Sequence, residues 1–577
     1  HLQVLPSEQV LGLVGKAAPD ELGDADELHR LVAATGASHV VQPRAARRAD
    51  VWDVVVEVRD GANVRTYEGR APAPLQAMDL ALGGYLSSIG AGALAAPAQP
   101  PTLTELQQRI DAAFLDGDVA RARRLVADAP AEYRENPQLR VRAGEIEVRA
   151  GELDAAAQRF ARVLDDGERV PAALRARAEY GFCTIAMRRN DFAGVVARCS
   201  AAAATLGAER DPVLSARLHM LRAVAEGALG RGDDALADAA RARMDWELAG
   251  DRRGMASLDV DEGLILRGLG RYAEAIAAFE RAAAVFERLG VEDSLAVSLS
   301  AKADTQIVVL DLAGALEASE RAWRLAARLA NPVAVRRLAF CRARVLVLAG
   351  RFADAAALLD RFADAAGALP EFAVLRAQLA LERGDAAGAL AQADAIFDRV
   401  EHPPDPSSEA SVADAAAVFV EAALRSGRRA DADHFLARLS AAPPVEQDAE
   451  RGFFAELARG GIAALAAETD AADRHFGAAL TLAGRSGRPD EIVAAASAYA
   501  RYLLAHGRVD AATGVVGRLA PYADRDYRAA RAAADLYAAL GDEARRRDAE
   551  AAAAQLAGER AGARAASREP PMASATR

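Results

Sequence analysis

The chain is short of cysteine, lysine, aromatics and long apolar runs, and each shortage removes a class of protein. Three cysteines in 577 residues (Cys183, Cys199 and Cys341) cannot form a disulfide framework, and none lies in a CxxC pair of the kind that holds zinc or does redox work. Aromatics make up 5% of the chain while the hydrophobic fraction is 52%. The excess is alanine, which suits closely packed helices and excludes an all-β interior. No stretch approaches the roughly 20 apolar residues that span a bilayer. Among 71 basic residues only Lys16 and Lys302 are lysines, and the formal net charge is -12. A broad basic face for DNA or RNA is therefore excluded, and no direct nucleic-acid contact is expected of this region.

What is present is repetition. The chain is too long for one hydrophobic core, so it must divide into domains or be built from repeats. A glycine-centred turn followed by a stereotyped helix recurs along most of it, most clearly as GELDAAAQRFARVL from Gly151, GRYAEAIAAFERAA from Gly270, GRFADAAALLDRFA from Gly350 and GRVDAATGVVGRLA from Gly507. The turn slot falls at Gly117, Gly151, Asn190, Gly230, Gly270, Leu310, Gly350, Gly384, Gly427, Glu468, Gly507 and Gly541, at intervals of 34 to 43 residues. A turn between antiparallel helices needs positive φ, which Gly and Asn adopt cheaply. Leu310 and Glu468 do not, so those two turns are expected to be built differently. An alanine five residues after the slot (Ala156, Ala275, Ala355, Ala432, Ala512) lets two helix backbones approach, and Tyr272, Ala275, Ile276, Phe279 and Ala282 form one buried stripe.

GRYAEAIAAFERAA resembles the second half of the tetratricopeptide repeat. The resemblance covers residues 102–556 and implies a mostly α fold, an α-solenoid of about twelve helix pairs. The 40-residue copies resemble the lengthened repeats of the sensor arms of large bacterial regulators.

The first 90 residues read differently. In DVWDVVVEVRD, Trp52, Val54, Val56 and Val58 alternate with Asp53, Glu57 and Arg59, the pattern of a half-buried strand. Asp60-Gly61 ends it, and Val64–Glu68 returns antiparallel. A helix is expected over Asp24–Thr35, a short strand near His39–Gln42, and a closing helix from about Pro74 to Ile89. This order, around ELHRLVAATGASHVVQ, resembles the small α/β domain at the amino terminus of TolB. The family's first strand and helix have no counterpart, so the domain (1–90) is expected to be truncated at its start. Residues 91–101 read as an Ala/Gly/Pro-rich linker, Thr102-Leu-Thr-Glu105 as a capping box opening the solenoid, and 557–577 as a disordered tail.

Signatures of chemistry are missing. Gly12-Leu-Val-Gly-Lys16 lacks the glycine spacing and the Ser/Thr of a phosphate loop. No HExxH, GxSxG or kinase signature occurs, and no two histidines stand three or four residues apart. No catalysis, cofactor or metal is expected. Cys183 and Cys199 flank the Asn190 turn at similar heights. They either bridge, in an oxidising compartment, or are small core residues.

The remaining candidate is a groove. Thirteen residues before successive slots stand Gln138, Arg177, Arg217, Ser257, Val297, Arg337 and Glu371, with Tyr180, Phe340 and Arg344 on neighbouring inner steps. Arg177, Arg217 and Arg337 with Tyr180, Phe340 and Arg344 could hold an acidic protein or peptide through charge-assisted pairs, or could form a solvated face paired with nearby carboxylates. A TolB-amino-terminal-like domain before a tetratricopeptide array resembles the carboxy-terminal region of bacterial CadC-like winged-helix transcriptional regulators. That resemblance implies signal sensing here, with the DNA-binding domain, and any membrane anchor, upstream. The region would be extracytoplasmic if a membrane helix precedes it and cytoplasmic otherwise. The alternatives are the regulatory arm of an adenylate cyclase or Ser/Thr kinase, or a free-standing scaffold.

Overall fold

The computed structural model describes Val32 and residues 37–48, 51–60, 63–72, 74–89, 102–115, 119–207, 211–329, 331–362, 369–403, 408, 410–441 and 449–560. The helix expected over Asp24–Thr35 (apart from Val32), the Gly12–Lys16 segment and the 91–101 linker lie outside the described residues.

Three antiparallel strands, β1 (Val40–Arg48), β2 (Val51–Asp60) and β3 (Asn63–Ala71), pair in the order β1-β2-β3. The alternation read in β2 is its burial pattern: Val54, Val56 and Val58 are enclosed against Ala77, Ala81 and Tyr85 of α1 (Pro74–Ser88). β1 runs well beyond the short strand expected near His39–Gln42, because it pairs with β2 along its whole length. Helix and sheet meet at Gly69, where a Cβ would stand 1.9 Å from the Ala77 carbonyl oxygen.

Twelve helix pairs follow among the described residues. The first five are α2 (Thr102–Leu115) with α3 (Val119–Ala127), α4 (Pro137–Ala150) with α5 (Leu153–Asp165), α6 (Ala172–Arg188) with α7 (Phe192–Leu206), α8 (Pro212–Ala228) with α9 (Gly232–Ala249), and α10 (Arg252–Gly268) with α11 (Tyr272–Leu289). Then come α12 (Glu292–Val308) with α13 (Leu312–Leu325), α14 (Pro332–Leu348) with α15 (Phe352–Asp360), and α16 (Pro370–Glu382) with a second helix broken into α17 (Ala386–Leu390) and α18 (Ala393–Glu401). The last four are α19 (Val412–Arg425) with α20 (Arg429–Ala441), α21 (Ala449–Leu465) with α22 (Thr469–Ser486), α23 (Pro489–Ala505) with α24 (Val509–Gly517), and α25 (Tyr527–Leu540) with α26 (Glu543–Leu556). The chain is thus mostly α, a tetratricopeptide-like α-solenoid after a small α/β domain.

The turns follow one hydrogen-bonding scheme. Among the described turns the slot residue takes positive φ and the next amide reaches back five residues, as from Arg271 to Leu266, Asp311 to Gln306, Arg351 to Leu346 and Glu468 to Ala463, each at 2.9 Å. Two expectations are corrected here. Leu310 is not built differently: it sits at φ +62 like the glycines. The turn assigned to Glu468 lies one residue earlier, with Ala467 at φ +57 and Glu468 at φ -85 as the N-cap of α22. The alanines five residues after the slot are fully enclosed in every copy named. Aromatics of second helices fit against glycines of first helices, most tightly at Phe160, whose ring would lie 2.5 Å from a Cβ on Gly144 and 2.4 Å from one on Gly181.

Contacts gather the chain into two compact units, 1–265 with 284–291, and 266–283 with 292–577. The last helix pair ends at Leu556, and four residues of the segment expected as a disordered tail (557–577) are described. Ala557–Arg560 pack back onto α14 and α15, because Gly558 permits the close approach and Arg560 finds a carboxylate and carbonyl oxygens there.

Candidate functional site

In the second unit the first helix of each pair from α12 to α25 turns one face inward, and together they line a cavity of about 2080 Å³. The register is set by the turns. Ten residues before the slots from Gly350 onward stand Phe340, Val374, Ala417, Leu457, Ser497 and Arg531, and six before the slots from Leu310 onward stand Asp304, Arg344, Gln378, Glu421, Gly461, Arg501 and Asp535. All of these line the chamber. These two steps recur because ten and six residues differ by about one helical turn, which keeps both on one helix face.

Both signs of charge line the wall, and most are paired. Arg344 meets Asp304 at 3.4 Å, Arg425 meets Glu421 at 2.8 Å, Arg488 meets Asp490 and Glu491 at 2.9 and 3.2 Å, and Arg528 meets Asp526 at 3.0 Å. Burial pushes the Asp526 carboxyl up, but Arg528 and two backbone amides outweigh it and hold the group below its usual range. Asp414 differs. Its carboxylate is open to the cavity and makes no hydrogen bond or ion pair among the described residues. Enclosure by protein raises its pKa, partly offset by Arg344 and Arg488. Apolar steps at Phe340, Val374, Leu375, Phe454 and Leu457 separate the charged ones.

The six groove residues named from sequence divide between the units. In the first, Arg177 forms a two-pronged pair with Glu145, at 2.7 and 3.2 Å. Tyr180 stands beside them, its phenol raised by burial while nearby Arg217 opposes the shift. In the second, Phe340 and Arg344 line the chamber, whereas Arg337 is exposed and is not part of its wall. The sequence ladder stopped too early. Continued past Glu371 at thirteen residues before the turn, it gives Asp414, Phe454, Ala494 and Arg528, all in the wall.

Cys183 and Cys199 are free thiols in one core cluster with Leu206, Leu214 and Leu218. The hydrogen bond to Cys199, together with burial, raises the Cys183 thiol. His434 and His475 pair with Asp394 at 2.7 Å and Glu456 at 2.8 Å. Among the described residues no group of His, Cys, Asp and Glu is placed to hold a metal ion, and no helix is long and apolar enough to cross a membrane.

No family model matches the chain, and no curated protein matches it in sequence. Solved structures do. The apo form of RapI shares 11% identity over 58% of this chain and 95% of its own, with a TM-score of 0.44. A Rap protein complexed with competence and sporulation factor shares 11% over 67% and 97%, with a TM-score of 0.40. Yeast Tom70 shares 15% over 76% and 97%, with a TM-score of 0.34. Likeness at this level does not bear on function, and the solenoid assignment rests on this chain's own helices and turns.

Proposed function

We propose that the chain is a non-catalytic binding region whose second unit holds a segment of a partner protein or peptide in its chamber. The observation that carries this reading is the wall itself: seven successive first helices present apolar and charged steps in one register around about 2080 Å³. That volume exceeds the ~300–1,000 Å³ typical of small-molecule sites and suits a peptide segment. Repeating side-chain ladders on inner helices are how such arrays meet extended or helical chains.

The acidic partner expected from the arginines would have to displace resident carboxylates, because Arg344, Arg425, Arg488 and Arg528 already have them. A segment carrying both signs fits without that cost, and its cation would find Asp414 unoccupied. Selection from a random twelve-residue display library tests the reading. Peptides enriched on the parent are expected to lose binding to an Ala417→Trp variant, whose indole projects into the path of a bound segment from α19. Retention of the same peptides by that variant would place their binding elsewhere and remove the proposal.

The narrower reading, the signal-receiving region of a bacterial winged-helix regulator, is supported by the order of modules, a small α/β domain before the solenoid. The coding sequence adjoining this chain decides it: a winged helix supports it, whereas a cyclase or kinase domain replaces it. A duplex-DNA shift assay with this region alone is expected to be negative at moderate salt.

A further inference from the structure

Four residues beyond the last helix pair tie the chain to its own middle. The Glu559 amide donates to the Gly350 carbonyl at 2.9 Å, and the Glu559 carboxylate accepts from the Ala353 amide in the first turn of α15 at 3.0 and 3.2 Å. Arg560 Nε donates to Glu382 at 2.7 Å, and Nη2 donates to the carbonyls of Val347 and Leu348 at the end of α14, at 3.1 and 3.3 Å. Its guanidinium lies over Phe352 and Tyr527, 5.2 and 5.5 Å from the ring centres. An acid thus meets a helix N-terminus and a cation meets a helix C-terminus, each the favoured sign for that end. The backbones touch as well: a Cβ on Gly558 would stand 2.7 Å from the Gly350 carbonyl oxygen, and one on Gly350 2.6 Å from that of Ala557.

We infer that residues 557–560 are a latch that governs access to the chamber. Arg560 is itself part of the wall, and its partners on α14 and α16 belong to helices that form the wall far earlier in the chain. Apart from this segment and the contact of Leu310 with α21–α23, cohesion passes chiefly between neighbouring pairs, so releasing residues 557–560 leaves each pair's own packing intact. The contact is also incomplete. Arg560 Nη1 is buried with no acceptor, an unfavourable feature that holds the latch closer to release than a fully satisfied contact would be. Glycine at 558, at φ +55, allows the segment to lie flat on Gly350, and any larger residue would lift it away.

The test needs no ligand, so its outcome is independent of what the chamber binds. Ser497 lines the chamber and is 6% exposed. A Ser497→Cys reporter is labelled with a maleimide carrying a polymer of about 5 kDa, with Cys341, in the packed core at 4% exposure, as the internal reference. Arg560→Ala and Gly558→Val, made separately in the full chain, are each expected to speed reporter labelling about tenfold or more, from loss of charge-assisted hydrogen bonds in one case and of close approach in the other. The rate at Cys341 should stay unchanged. The synthetic peptide Leu-Ala-Gly-Glu-Arg-Ala-Gly at millimolar concentration should slow the reporter again in the Arg560→Ala variant. Reporter rates within twofold of the parent in both variants would overturn the inference. So would a parallel rise at Cys341, which would make the segment a staple of the fold rather than a gate.

Discussion

Leu310 sets two effects of known sign against each other. It holds φ +62 at the turn between α12 and α13, a conformation that costs a residue with a side chain roughly 1–2 kcal/mol. Replacement by glycine relieves that cost but loosens the unfolded chain by ~0.4–1 kcal/mol, so the backbone gain is at most about 1.6 kcal/mol. The side chain decides the balance. Leu310 is 3% exposed and belongs to a core cluster with Phe453, Phe476 and Leu503, which come far later in the chain. Removing a buried leucine costs ~2–5 kcal/mol. Leu310→Gly is therefore expected to destabilise by about 3 kcal/mol, whereas Ala467→Gly, at an exposed turn with φ +57, should be neutral or stabilising by up to about 1.6 kcal/mol. Repeat arrays need not unfold in two states, so native-state hydrogen exchange is the assay, read separately at α12, α13 and α21–α23. Leu310→Gly should speed exchange in both regions, since its side chain joins them. Exchange no faster than in the parent would refute the claim that this leucine is kept for its long-range packing.

Further predictions concern groups whose environments are unusual. An aromatic disulfide reagent at pH 8 should find no reactive thiol in the folded protein and three after denaturation, since burial raises Cys341 and burial with mutual hydrogen bonding raises Cys183; one thiol after denaturation would mean that Cys183 and Cys199 bridge. Asp261 in α10 has its pKa raised by burial to about 7, above its ordinary 3.8. The folded state therefore holds this proton more tightly than the unfolded chain, and the group costs nothing below about pH 4 and progressively more as pH rises to 7. Asp261→Asn should leave stability unchanged at pH 4 and raise it at pH 8, by at most roughly 4 kcal/mol and less where water reaches the carboxyl; equal effects at the two pH values would contradict this. Gly69→Ala should destabilise the small domain by about 2–3 kcal/mol or prevent α1 from docking, because the added methyl meets backbone rather than a movable side chain; near-parental protection of β3 amides would show that the helix can shift at little cost.

The solenoid was legible because its physics is local. Positive φ at a bend selects glycine, close helix approach selects alanine five residues later, and both leave marks at fixed spacing. The exceptions show where local reading ends. Leu310 looked wrong for its slot because its compensation is tertiary, with the Asp311 carboxylate also accepting from Gly314 at 3.0 Å and from Gln306 at 2.7 Å. Ala467 was missed by one residue for the opposite reason: an alanine carries no sign that it must turn left-handed. The inner face was legible as a register, and its steps at Phe340 and Arg344 line the chamber. Arg337 shares the register yet stays outside the wall, since which part of a helix face reaches the chamber depends on angles between successive pairs that no single repeat encodes. Arg560 could not be found this way at all. Its composition reads as tail, and only contact with residues about two hundred positions earlier gives it a place.

The same separation of local from long-range effects bears on how the chamber can discriminate. At the step six residues before the turn, α21 carries Gly461, the one position there without a side chain. Across that step Arg501 of α23 stands 3.9 Å from Glu421 of α19, while Glu421 already holds Arg425 on its own helix. A carboxylate shared between two arginines is harder to displace than one with a single partner, because both cations lose a neighbour when it moves. An incoming chain therefore gains little by competing at the paired steps, where each new contact replaces one already made in similar geometry. Net affinity must come from the steps that are not yet satisfied, the Asp414 carboxylate and the apolar surfaces of Phe340, Phe454 and Leu457. The paired steps act instead on selectivity: they repel a misplaced charge and tolerate only a chain whose own charges fall in the spacing the turns impose.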